Sequence, residues 1–221
     1  EVVWDKVKIS PCKLTFTTIS PDNFTYNGED HSEEIGLTVE GLPGQYELFI
    51  VPGSKTSLLN VARDKDGNVI AIKVGLEYVI RDKETHEPID IDNDNYEYDK
   101  TTIVWKSVTI NPQQITITPN DIKDFDYDGT DHSNQSKLTA TGLVAGHEIR
   151  WNIITVLRDV TRDNDGNVIS IENIMEFYFV DTADEKILST NYYIQNPNKA
   201  VEEEVVWDKV KISPCKLTFT T

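Results

Sequence analysis

The chain repeats its own beginning at its end. Glu1–Thr18 reads EVVWDKVKISPCKLTFTT, and Glu204–Thr221 has the same sequence without one substitution. Identity over that length does not arise by chance, and selection on the fold alone would not preserve it, because surface positions drift while a fold survives. We interpret the chain as one period of 203 residues, the spacing from Glu1 to Glu204, followed by the opening of the next period. Such a repeat predicts a linear array of modules.

A weaker repeat runs at about half this period. Short motifs occur twice in the same order: Val3-Trp4 and Val104-Trp105, Tyr26-Asn27-Gly28 and Tyr127-Asp128-Gly129, Asp30-His31-Ser32 and Asp131-His132-Ser133, Gly41-Leu42 and Gly142-Leu143, Asp66-Gly67-Asn68 and Asp165-Gly166-Asn167. Each period is therefore predicted to hold two divergent copies of one domain of about 100 residues, a common domain size.

The hydrophobic spacing within each copy is typical of β-strands. Alternating or β-branched runs occur at Lys13–Thr17, Tyr46–Val51, Val69–Ile72, Leu76–Ile80, Gln114–Thr118, Ile149–Leu157, Val168–Ile171 and Met175–Val180. Turn signals such as Asn-Gly and Asp-Gly separate these runs, and no long stretch has an apolar face at helical spacing. The pattern predicts an all-β fold, made of two tandem β-sandwich domains with Greek-key connections, arranged end to end.

Prolines mark the predicted domain boundaries. Trp4–Ile9 and Trp105–Ile110 alternate like strands, and each is followed by a proline and then by another alternating strand. Proline cannot donate to a sheet ladder, so it marks the point where the chain leaves one sheet for the next. The predicted segments are 1–11 (closing strand of the preceding repeat), 12–111 (domain 1), 112–214 (domain 2) and 215–221 (first strand of the next repeat). Joints this short predict a stiff chain.

Charge and hydropathy exclude some partners. The chain has 38 acidic and 21 basic residues, for a net charge of −17. An acidic surface repels phosphate backbones and anionic headgroups, so we expect no nucleic-acid partner. No apolar run approaches the roughly 20 residues of a membrane span, so no membrane insertion is expected in this segment. The sequence has no initiating Met or signal peptide, and targeting and anchoring segments are expected to lie outside it.

The motifs resemble those of a known family. Tyr127-Asp128-Gly129-Thr130-Asp131 is followed by Leu138–Leu143, reading LTATGL, and Asn191–Ile194 precedes a closing Val-x-Ile-x-Pro strand at Val210–Pro214. This order is similar to that of bacterial Ig-like repeats of the MBG or YDG type. The first copy departs from it, with Asn27 and Glu29 in place of the Asp and Thr. The resemblance implies tandem modules of a large cell-surface, adhesin-like protein, and an extracellular stalk or filament instead of an enzyme.

Acidic motifs raise the question of calcium. Asp64 and Asp66, like Asp163 and Asp165, resemble the start of a calcium loop, but the glycine stands at the wrong position and the bidentate Glu is missing. A hairpin turn explains these motifs better. The tract containing Asp90, Asp92 and Asp94 lies near a predicted junction, where calcium between modules or a solvated acidic loop are alternatives. No metal or other cofactor is predicted.

Histidines offer no catalytic constellation. His31 and His132 are equivalent, each in an Asp-His-Ser motif, and adjacency in sequence does not make a triad, which needs convergence in space. We predict local hydrogen bonding in a turn. No metalloprotease, redox or phosphate-binding motif is present. The sequence assigns no catalytic residue, and we expect no enzyme activity.

Other chemistry-bearing residues also occupy repeated or loop positions. Cys12 and Cys215 are one position in successive periods, and we predict that they are not bonded to each other. Whether Cys12 is free or forms an interchain bond stays open. Trp4, Trp105 and Trp207 share a position where packing on a closing strand is the expected role, with sugar stacking as the alternative. Two sequons, at Asn23 and Asn134, allow glycosylation.

These features predict a structural repeat unit of a long, stiff extracellular fibre, stalk or matrix filament. Its partners would be neighbouring copies of the same repeat, in series or laterally. The alternative is an adhesin repeat that binds glycan or a host or cell-surface protein through its loops. Whether the end strands are covalently continuous or exchanged between chains stays open.

Overall fold

The computed structural model describes residues 8–195 and 204–218, with the side chains of 102 and 204–208 excepted. In this part of the chain every regular element is a β-strand or a short 3₁₀ helix, and the predicted all-β class is confirmed. The chain divides into two compact units. Unit 1 takes the chain up to Ala62 and Ile70–Ile110, and unit 2 takes Arg63–Val69 and the chain from Asn111.

Unit 1 contains the strands β1 (Cys12–Lys13), β2 (Thr15–Ile19), β3 (Phe24–Thr25), β4 (Gly36–Glu40), β5 (Tyr46–Ile50), β6 (Ile72–Lys73), β7 (Tyr78–Asp82), β8 (Tyr96–Glu97), β9 (Ser107–Val108) and β10 (Ile110–Asn111), the last ending across the boundary. The strand β1 runs parallel to β8. Antiparallel pairs join β2 to β4, β5 to β7 and β6 to β9. The strand β3 pairs with β10.

Unit 2 contains β11 (Gln113–Gln114), β12 (Thr116–Pro119), β13 (Phe125–Asp126), β14 (Leu138–Thr141), β15 (His147–Ile153), β16 (Ile171–Asp181), β17 (Tyr192–Tyr193), β18 (Glu204–Val210) and β19 (Ile212–Ser213). Each pairing of unit 1 has a counterpart. The strand β11 runs parallel to β17, and β13 runs parallel to β19. Antiparallel pairs join β12 to β14, β15 to β16 and β16 to β18.

One long strand in unit 2 replaces two short ones in unit 1. The strand β16 spans Ile171–Asp181 without a break, although the sequence predicts separate runs at Val168–Ile171 and Met175–Val180. That prediction is wrong, because Asn173 and Ile174 carry the chain through the gap, with a register shift against β18. Unit 1 is interrupted between β6 and β7, where Gly75 takes part in neither strand.

Several other predicted runs differ from the strands observed. Trp105–Ile110 is not one strand, because β9 and β10 are separated at Thr109. The run Ile149–Leu157 leaves the sheet after Ile153, where the chain turns to hydrogen-bond Ile154 N–H to the Ile174 carbonyl oxygen at 3.0 Å. Of the predicted strand Trp4–Ile9, residues 4–7 lie outside the described residues, and Lys8 and Ile9 are not in a strand.

The core of unit 1 gathers the alternating apolar residues of its first strands. Leu14, Phe16, Leu37 and Ile80 are buried together. The Phe16 ring lies 5.5 Å from the ring of Tyr98, between centroids, a separation typical of favourable aromatic pairs. Trp105 is half-buried and packs against this cluster, as predicted for the tryptophan position. Trp4 lies outside the described residues, as does the side chain of Trp207.

The core of unit 2 includes a residue of its late strand β18. Val210 is buried with Ile122 and Leu157, and Phe125 and Ile171 pack against them. A buried polar pair lies nearby: Asn173 Nδ2 donates to Ser136 Oγ at 3.0 Å. Buried polar groups need such partners, so this pair is satisfied locally.

Candidate functional site: the shared segment

We call the sequence EVVWDKVKISPCKLTFTT the shared segment, with a first copy at 1–18 and a second copy at 204–221. The second copy closes unit 2. Its strand β18 pairs with β16 in the register Ile171 opposite Val210 and Glu172 opposite Lys209. Its strand β19 then pairs with β13, Phe125 opposite Ile212. The segment therefore supplies two strands of unit 2.

The alternation of apolar and charged residues explains why this segment fits the edge of unit 2. Val210 and Ile212 are fully buried, whereas Lys209 and Lys211 between and beside them are exposed. The backbone is held along its length: Lys211 N–H donates to Asp124 Oδ1 at 2.8 Å, and Tyr127 N–H donates to the Ser213 carbonyl oxygen at 2.8 Å. These contacts give the strand one register.

The first copy opens unit 1 with its other half. Cys12 N–H donates to the Asn95 carbonyl oxygen at 2.8 Å, and Leu14 N–H donates to that of Glu97 at 2.9 Å. The strand β2 continues along β4 with Phe16 opposite Val39. Leu14 and Phe16 are buried in the unit 1 core. This half therefore supplies β1 and β2.

At two equivalent positions within the described residues, the copies differ in burial. Ile9 in the first copy is 90% exposed, and its twin in the second copy, Ile212, is 0% exposed. Conversely, Leu217 in the second copy is 74% exposed, and its twin Leu14 is 3% exposed. Since the sequences are identical, the difference in burial arises from the neighbours that each copy meets and not from the residues themselves.

The paired aspartate motifs form turns. Asp64 Oδ1 accepts from the backbone N–H groups of Asp66 and Asn68, each at 2.9 Å, and Gly67 has φ of 85°. The hydrogen bond from the Asn68 side chain lowers the pKa of Asp64. Asp163 makes the same contacts with Asp165 and Asn167, at 3.0 and 2.8 Å, so the predicted hairpin turns are confirmed.

The acidic tract at 90–94 is held by contacts within the chain. Asp92 accepts from Lys100 Nζ at 2.6 Å and from the Tyr98 hydroxyl, and the bond from Lys100 lowers the pKa of Asp92. Asp90 Oδ1 accepts from Asp92 N–H at 2.8 Å. Asp94 lines the shallow depression beside them. In the described ranges, no group of three or more His, Cys, Asp or Glu residues is arranged to hold a metal ion.

The two equivalent histidines make local hydrogen bonds, as predicted. His31 Nδ1 lies 2.6 Å from Glu34 Oε1, and the ring packs on Phe24 with centroids 4.2 Å apart. His132 Nε2 lies 3.1 Å from Asp128 and 3.0 Å from Thr130 Oγ1, with its ring 4.2 Å from that of Phe125. Each histidine stabilises a turn.

Sequence reasoning missed the role of the aspartate in the same motif. Asp131 Oδ1 accepts from the N–H groups of Ser133 at 2.9 Å and Leu157 at 3.2 Å, so it links two distant segments. The bond from Ser133 lowers the pKa of Asp131. Sequence reasoning also missed His147, whose Nδ1 contacts the Tyr192 hydroxyl and whose pKa is lowered by burial. The repetition of Asp-His-Ser was the available signal for Asp131.

The cysteines and sequons differ in exposure. Cys12 is half-buried and its thiol donates to the Gly41 carbonyl oxygen at 2.8 Å, whereas Cys215 is exposed, and both thiols are free. Asn23 is exposed and its Oδ1 accepts from Thr109 N–H at 2.8 Å. Asn134 is exposed within a 3₁₀ helix at Ser133–Gln135.

Comparison of the chain with protein-family models, curated proteins and solved structures finds no match. Over the described residues, no helix combines the length and hydropathy of a membrane span. The geometry of the shared segment therefore carries the functional argument.

Proposed function

We propose that this chain is the repeating structural unit of a long, stiff extracellular fibre, stalk or matrix filament. Each period would contribute two Ig-like β-sandwich modules, at 12–111 and 112–214. The observation that carries the proposal is the complementary use of the shared segment: one copy buries Ile212 and the other buries Leu14. A single copy placed between two periods would complete unit 2 of one and unit 1 of the next.

Short joints support stiffness. One residue, Pro112, separates β10 from β11, and Pro214 directly follows β19. Pro11 likewise directly precedes β1. Proline fixes its own φ and restricts the residue before it, so a one-residue joint has few backbone conformations. Such joints limit bending, and each added period extends the array without a new fold.

The extracellular setting rests on the resemblance to bacterial surface repeats and on charge. With a net charge of −17 per chain, dense arrays would repel one another laterally, which favours solubility at high local concentration. The same charge works against adsorption to anionic surfaces. Neighbouring copies in series are the partners that this proposal requires.

The experiment is electron microscopy of chains with increasing numbers of periods. We expect contour length to grow linearly with the number of periods, with a narrow distribution of bend angles at every joint. Native fibres should show continuous connectivity across the prolines at positions 11 and 214. Flexible beads on a string, or compact particles, would contradict the proposal.

A binding function makes a different prediction. A single period would then bind on a glycan array or in a cell-adhesion assay, whereas a spacer would give no signal. Half-burial of Trp105 against the unit 1 core favours the spacer, because that ring is engaged in packing.

A further inference from the structure

We propose that a second copy of this chain can supply the closing strands of unit 2. The closing half of the first copy, residues 1–10, is identical to residues 204–213 and would enter the position that β18 and β19 occupy in unit 2 of another molecule. This inference rests on the proposed function, and it adds that the closing strand can be supplied from a separate chain. The exchange is a form of strand addition to an open sheet edge.

The docking position is defined by the contacts of β18 and β19. A closing strand there pairs with β16, buries one valine beside Ile122 and Leu157, and places one isoleucine opposite Phe125. Its backbone accepts a hydrogen bond from the Tyr127 N–H and donates one to Asp124 Oδ1. Every one of these contacts is made by a residue of the second copy that has an identical twin in the first copy.

The first copy carries the same residues as the strands that occupy this position. Ile9 is 90% exposed, and Lys8 and Ser10 beside it are exposed as well. Burial of such an isoleucine is favourable because it removes apolar surface from water. Because the sequences are identical, a strand from another molecule can make the same contacts as the strand of the same chain. In a dilute solution of intact chains the strand of the same chain nevertheless occupies the position, because its effective concentration is high.

The test disables the attached closing strand by substitution and supplies a separate strand as a peptide. The variant Ile9→Lys/Ile212→Lys disables both closing strands of the full chain. A peptide with the sequence of residues 1–10 is then added, and a peptide with lysine at its ninth position is the matched control. Hydrogen exchange of the Phe125 and Tyr127 amides is the readout, because they donate to the Lys211 and Ser213 carbonyl oxygens of the closing strand. We expect these amides to lose protection in the double variant and to regain it with the native peptide, in proportion to the logarithm of its concentration.

The full chain then provides the second arm. The single variant Ile212→Lys keeps a native first copy, so it should assemble head to tail as concentration rises, with masses in whole multiples of the monomer by light scattering. The double variant should not form this series. Monomeric Ile212→Lys at every concentration would overturn the proposal, as would a native peptide that restores no protection. Native protection of the Phe125 and Tyr127 amides in the double variant without peptide would overturn it too. None of these results would affect the proposed function, which is tested by contour length in continuous chains.

Discussion

The carboxylate of Asp30 accepts a hydrogen bond from the backbone N–H of Leu58 at 2.9 Å, and this contact joins the Asp-His-Ser turn to a loop 28 residues away. The same oxygen accepts from Ser32 N–H at 2.9 Å. Leu58 is fully buried, so its amide needs a partner inside the unit. Asp131 and Leu157 repeat the arrangement in unit 2.

Replacing this aspartate should loosen the loop that it holds. In Asp30→Ala the Leu58 amide loses its acceptor, and we expect faster hydrogen exchange there and a fall of a few degrees in the melting temperature of unit 1. Asp30→Asn keeps one acceptor oxygen and should be intermediate. Glu29→Ala, at the exposed neighbouring position, is the control. Unchanged exchange of the Leu58 amide in Asp30→Ala would contradict the assignment.

The two copies of the shared segment offer a matched test of burial. Leu14→Ala should destabilise unit 1 by about 2–5 kcal/mol, because it leaves a cavity in the core. Leu217→Ala makes the same change in the same local sequence at an exposed position, and should alter stability by no more than about 0.5 kcal/mol. Denaturant unfolding of both variants measures the difference. Equal costs at the two sites would show that Leu217 is packed in solution.

Asp128 should make the turn of unit 2 sensitive to acid. Hydrogen bonds from the Thr130 backbone, the Thr130 hydroxyl and His132 lower the pKa of Asp128 from 3.8 to about 2. A folded-state pKa below the unfolded value gives a stabilising contribution that is present above about pH 4 and is lost as the pH falls towards about 2. An NMR titration should place the midpoint of this carboxyl near 2.

The equivalent residue in unit 1 supplies the comparison. Asn27 occupies the position of Asp128 and does not titrate. Asp128→Asn should therefore lower the stability of unit 2 at neutral pH and flatten its dependence on pH below about 4. If the variant keeps the native slope, other carboxyls account for the acid response.

Gly41 should tolerate no side chain. Its φ is +82°, and a Cβ there would lie 2.1 Å from the Lys13 carbonyl oxygen, so β1 would have to move. Gly53 has φ of +74° with nothing within 4 Å of such a Cβ. Gly53→Ala should cost about 1–3 kcal/mol from the backbone conformation alone. Gly41→Ala should cost clearly more in thermal unfolding, and a cost equal to that of Gly53→Ala would exclude the close approach.

Periodicity predicted the strand class well and the strand limits poorly. Tyr46–Val51 is rich in aromatic and β-branched residues, which predicts a strand directly, and β5 spans Tyr46–Ile50. The aspartate-glycine turns were equally readable, because the positive φ of Gly67 and Gly166 demands that residue. The continuity of β16 was not readable. It depends on Asn173, a polar residue that can be buried only because Ser136 lies beside it.

The behaviour of the shared segment was only partly predictable from the sequence. Identity of the two terminal segments could be read directly, and it predicted an array. What it could not show is that Ile9 and Ile212 differ in burial, because burial depends on which surface a strand meets and not on the strand itself. The tether from Asp131 to Leu157 was hidden for a similar reason, since it joins residues far apart in the chain.

Unit 2 pairs Phe125 with Ile212 and Ile171 with Val210, so its sheets cannot be completed until synthesis has passed these late residues. Translation would leave β13 and the edge of β16 without their partner strands until β18 and β19 emerge from the ribosome.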